Sequence, residues 1–188
     1  MKSKVVLFGL GSGLLLALGA CNSSNNTEAS SDSTAGKMSS SDTVKASAPV
    51  ADQDFVNYAV PGNTKEIIWL KAGIAQSSNH ELKSHAHSML KDHEKLDSTV
   101  KGYLSMHSDL IVPSVDTSNV VNIQGKKGKE WDKAWVDQMV QDHSDLLDKL
   151  KKSQGDIKDT ALLSIVNNTI PVVQSHLDMV KNIQKKMK

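Results

Sequence analysis

The word Met-x-x-Asp-His occurs twice in this chain, as Met89-Leu90-Lys91-Asp92-His93 and as Met139-Val140-Gln141-Asp142-His143. Each time the histidine falls where a helix core wants a leucine. Leu82, Ala86, Met89, His93, Leu96, Val100 and Tyr103 recur in steps of four and three, so they lie on one helical stripe. Trp135 or Val136, Met139, His143, Leu146 and Leu150 follow the same rhythm, and so do Leu162, Ile165, Thr169, Val172, His176, Met179 and Ile183. Neutral imidazole is the commonest protein ligand for metal ions. It can also serve as a polar core residue, donating from one nitrogen and accepting at the other.

The elements that must position these rings are helices. The spacing predicts helix one over about Asp52 to Gln76, broken at Pro61-Gly62-Asn63-Thr64, where Asn63 or Thr64 would cap a fresh start. Helix two should run from about Asn79 to Met106 and helix three from about Lys129 to Ser153, with Gly155 marking its end. Helix four should cover about Asp156 to Lys186 and kink at Pro171. A long connection from His107 to Lys127 holds Pro113 and Gly125, and its piece Ser118 to Ile123 suits a strap across the other elements. Two short connections and one long one describe an all-α four-helix bundle with a crossover, the layout of ferritin-like folds.

In such a bundle mid-helix positions share a layer. Glu66, His93 and His143 should therefore converge at the centre, with His176 within reach if helix four is offset. Asp92 and Asp142 point toward helix seams, because neighbours in a helix differ by about 100°. From there they suit the orientation of a neighbouring imidazole. The di-iron pattern needs a Glu from two helices and Glu-x-x-His from two more, and this chain lacks it. One Zn or Cu ion fits three His and a Glu better. Met89, Met139 and Met179 each lie one turn from a core His; they would favour copper if they coordinate, and otherwise fill core gaps. His85 is the one further histidine near the layer, whereas His80, His87 and His107 belong to surface or loops. With no ion, Glu66 and the three imidazoles would form a polar network that fixes helix register.

The start of the chain sets the compartment. Lys2 and Lys4 precede an apolar run from Val5 to Ala20, and Leu18-Gly19-Ala20-Cys21 closes it. That is the pattern of a signal peptide over 1–20, and the run falls short of the roughly 20 residues that span a bilayer. Leu-x-Ala-Cys resembles the lipobox of bacterial lipoproteins, which implies lipid on Cys21, a membrane anchor and, with Asn22 next, the outer membrane of the cell envelope. Cys21 is the only cysteine, so no internal disulfide forms. From 21 to 50 the chain is rich in Ser, Asn and Thr and buries too little to fold, so it reads as a tether to a domain at 51–188.

Asp54-Phe55-Val56, Glu66 and Leu82-Lys83-x-x-Ala86-x-x-Met89-x-x-Asp92-His93 resemble the first half of a ferritin-like bacterial envelope family known as domain of unknown function 4142. Gly128-x-x-Trp131-Asp132-x-x-Trp135-Val136, Asp142-His143, Ile170-Pro171 and His176 resemble its second half. The likeness covers about Asp52 to Val180 and implies a fold, with no established activity. Trp131 and Trp135 stand where the family has Phe and Tyr, and His85 fills an apolar or aromatic slot.

Other classes of function lack their signatures. Every base is lysine and the net charge is +1, which argues against nucleic acid, whose recognition leans on arginine forks. There is no Gly-x-Ser-x-Gly elbow, no phosphate-binding Gly-rich loop and no free Cys nucleophile. The expectation is a non-enzymatic metal binder or buffer, against an interaction or structural module whose histidines only hold the core together.

Overall fold

In a computed structural model of the chain, residues 47–187 are described. The signal-peptide and lipidation readings, Cys21 included, and nearly all of the tether lie outside them. Among the described residues there are four helices and no strand: α1 (Val50–Gln76), α2 (His80–Met106), α3 (Gly128–Asp156) and α4 (Thr160–Lys186). None is long and apolar enough to cross a membrane.

The hairpin turns are built from capping side chains. Asn79 Oδ1 accepts from the amides of Glu81 and Leu82 at the start of α2, and Asp159 Oδ1 accepts from Leu162 N at the start of α4. Buried Asp52 reaches across from α1 and takes the amides of Lys158 and Asp159, tying the α3–α4 turn to the beginning of the bundle. At the far end, Trp135 Nε1–H donates to Trp69 O and Gln184 donates to Asp137. These ties fix the topology. The start of α1, the end of α3 and the start of α4 share one end, and the start of α3 lies at the other. The chain therefore runs up, down, down and up, and residues 107–127 carry it from one end to the other. Gln53 pins that crossover by a reciprocal pair of bonds to the backbone of Ile111. Helix α1 packs on α2 and α3, and α4 packs on the same two from the opposite corner.

Three local expectations are corrected. Helix α1 runs unbroken through Pro61, and Asn63 gives its side chain to α2 rather than to a local cap. Helix α3 continues past Gly155, and the amide of Ile157 closes it on Ser153 O. The apolar stripes are also turned by a residue in places: α3 buries Leu147 rather than Leu146, and α4 buries Val166, Val173 and Leu177 while Val172 is 37% exposed.

One close approach is specific to this core. A Cβ on Gly73 would meet the Trp135 indole at 2.8 Å, and that ring is held by its bond to Trp69 O and fully buried. Gly73→Ala should therefore destabilise the fold by about 1–3 kcal/mol in urea denaturation. Gly62→Ala, with nothing within 4 Å, should be neutral or stabilise by up to about 1 kcal/mol. Equal midpoints for the two variants would refute this packing account.

Candidate metal centre

His93, His143 and His176 come from the middle of α2, α3 and α4, each at most 2% exposed. Their ring centroids stand 5.8, 5.5 and 5.4 Å apart, a nearly equilateral triangle. One ring nitrogen from each lies within 4.8 Å of the other two.

Each ring also has one nitrogen tied outward. His143 Nδ1 lies 2.9 Å from Met139 O, and a carbonyl has no proton to give, so Nδ1 carries the hydrogen. His93 Nδ1 lies 2.8 Å from Asn63 Oδ1; the Asn63 amide donates to His93 O at 3.1 Å, which turns its oxygen toward the ring. His176 Nε2–H donates to Asp92 Oδ2 at 3.1 Å. The protons thus sit on the outer nitrogens. The remaining three atoms, His93 Nε2, His143 Nε2 and His176 Nδ1, are buried and have no hydrogen-bond partner. Three bare lone pairs occupy one small volume, and no donor among the described residues meets them.

Electrostatics keep the rings neutral. Burial depresses all three histidines: His93 lies well below the usual imidazole value and His143 falls to about 4, with neighbouring imidazoles adding to the effect. His176 is lowered by burial too, and only it has a carboxylate, Asp92, working in the other direction. Glu66 is pushed up to about 8, first by burial and then by the charge of Asp142, so it is a neutral acid at pH 7. Its Oε1 stands 3.7 Å from His143 Nδ1 and has no hydrogen-bond partner. With both groups neutral, this is a contact of dipoles rather than an ion pair.

The expected residues are thus distributed unevenly. The three histidines meet, and Asp92 backs His176 from a half-exposed position. Glu66 stands behind His143, on the side of the nitrogen already bonded to Met139. Asp142 accepts from Gln138 and stands on the Glu66 side. Met89 and Met139 are fully buried and Met179 is half-buried. His85 pairs with Glu81 at 3.9 Å near the start of α2, outside the triangle. Asn63 is the functional side chain that sequence reasoning missed; its place one turn before Glu66 is the signal that was available.

The sequence model of a family described as Domain of unknown function (DUF4142) matches residues 35–183. The chain belongs to that family. No curated protein and no solved structure matches it. The DUF4142 assignment covers all three histidines and their outward partners, and it brings no activity with it, so the chemistry of the triangle has to be judged on its geometry.

Proposed function

We propose that this protein is an outer-membrane-anchored envelope lipoprotein whose ferritin-like bundle binds or buffers one transition-metal ion through His93, His143 and His176. The observation that carries the reading is the set of three buried ring nitrogens whose lone pairs converge with no hydrogen-bond donor. Metal-bound histidines characteristically donate their other N–H to a carbonyl, amide or carboxylate, which fixes ring and tautomer. Met139 O, Asn63 and Asp92 supply one such partner each. Imidazole donors suit Zn or Cu, and the group includes no carboxylate of the kind a di-iron centre requires. A bound ion would supply Lewis-acid character, with the chain's part limited to holding it in a dry core.

A metal-free polar network is the rival, and its difficulty is proton arithmetic. The rings have already directed their hydrogens outward. A single water donates two hydrogen bonds, so at least one lone pair would remain orphaned at a cost of about 1–3 kcal/mol.

The test is the melting temperature of the purified protein with chelator and then with Zn, Cu, Mn and Fe in turn. An ion at about a hundred times its Kd should stabilise by about 2.7 kcal/mol, which raises Tm by several degrees at this size. No shift with any of the four would reject metal binding and leave the histidines as core architecture.

A further inference from the structure

A second site lies along α1. Between Val56 and Glu66 this helix buries no residue. Ala59, Gly62 and Asn63 occupy the stretch where α1 would otherwise present bulky core side chains, and the bundle opens there into a cavity of about 630 Å³. Leu96 and Val100 of α2, Leu146 and Leu150 of α3 and Ile165 of α4 form an apolar wall, and Val120 of the crossover closes over it. Phe55, Tyr58 and Trp69 add aromatic faces.

The polar lining is lopsided. Glu66 is 7% exposed and lines the cavity, with its buried Oε1 standing 3.7 Å from His143 Nδ1. Asp142 lines the same space close enough for its charge to act on Glu66. The lysines of the lining are exposed, and two are already paired with other lining residues: Lys101 bonds Asp97 at 2.7 Å, and Lys149 sits over the Tyr58 ring at 5.6 Å. Deep in the cavity there are carboxyls, aromatic faces and aliphatic wall, and no cationic side chain is buried among them.

The geometry points to a binding site in this cavity for a small organic cation, an amine with an apolar tail, whose ammonium meets Glu66 and Asp142 and whose tail lies along the leucine and valine wall. A carboxyl oxygen of Glu66 accepts an N–H whether or not the group is protonated. An alcohol could satisfy the same atom but would gain nothing from Asp142, and a carboxylate would be repelled by it. Aromatic rings favour a cation in the same way. Pockets of this size with an apolar lining and a few convergent polar groups are typical of small-molecule sites.

The cavity adjoins the histidine triangle but takes in only one of its three rings. His93 lines the cavity, but His143 and His176 do not. Titration calorimetry on the full chain in chelator, with hexylamine, hexanol and hexanoate as probes, tests it. Hexylamine should bind at least tenfold more tightly than either of the others. Glu66→Leu, which removes the acceptor, should weaken it at least tenfold, and Ala59→Phe should abolish it by filling the space. His176→Ala should lose metal and keep hexylamine, so the two sites can fail separately. No heat with any probe, equal affinity for the three, or unchanged hexylamine affinity in Glu66→Leu would each overturn the inference.

Discussion

Alanine at His93, His143 or His176 should lower affinity for the ion by well over a hundredfold, whereas alanine at His85 should leave it unchanged. The ordering follows from what each group touches. The three ring nitrogens are the only buried donors that converge among the described residues, so removing one leaves two ligands and a vacancy that water must reach through packed core. The outward partners act through the rings, and losing one typically costs 10- to 100-fold in affinity. Asp92→Asn and Asn63→Ala should fall in that range. Asp92→Asn also removes the one carboxylate that holds the His176 pKa up, so it should lower the pH at which that ring is free to load even as it lowers affinity. Competition titration with a chromophoric chelator reads the series. If His143→Ala bound as tightly as wild type, the triangle would not be the site. In the absence of metal the same alanine variants should lose roughly 2–5 kcal/mol, as any core truncation does, and that loss must be measured separately in chelator.

The histidines could be read from sequence because apolar periodicity marks the buried face whatever residue occupies it. His93 and His143 sat at leucine positions of two stripes, and both proved buried. The register of α4 was less legible. Leu162, Ile165, Thr169, Val172, His176, Met179 and Ile183 form a strict seven-residue repeat, and a straight helix drifts about 20° per heptad against it. The observed face accordingly passes through Val166, Val173, Leu177 and Val180, and His176 sits at its edge, which is how its Nε2 reaches Asp92 on α2. At Pro61 the local rule predicts a break with Asn63 as a cap, whereas the helix is continuous and the Asn63 side chain makes two bonds to His93 on α2. Asp52 was illegible for a simpler reason. Its partners Lys158 and Asp159 lie more than a hundred positions away, and no local pattern announces such a bond. The cavity had a faint signal in the small residues from Ala59 to Thr64, which read equally well as a turn.

Metal-free stability should peak near neutral pH, fall steeply toward acid and fall gently toward pH 8. The acid limb comes from the histidines. Their folded values lie below the ordinary 6.5, so the unfolded chain binds protons that the fold refuses. Their contribution is complete above about pH 6.5 and is lost as pH drops through the window down to the folded values. For His143 alone, a fall from 6.5 to about 4 corresponds to about 3 kcal/mol by pH 4. Glu66 has the opposite sign. Its folded value of about 8 exceeds the ordinary 4.5, so its contribution is complete below pH 4.5 and declines as pH rises to 8. That decline can reach about 1.4 kcal/mol per pH unit, the effect of one proton. Between pH 4.5 and 6.5 three histidines oppose one carboxyl, so the acid limb wins; above 6.5 the carboxyl acts alone. Urea denaturation in chelator from pH 4 to 8.5 shows the profile directly. Glu66→Gln should flatten the alkaline side and leave the acid limb, and His143→Leu should shrink the acid limb. A wild-type profile flat from pH 5 to 8 would mean that neither the triangle nor Glu66 is buried in solution.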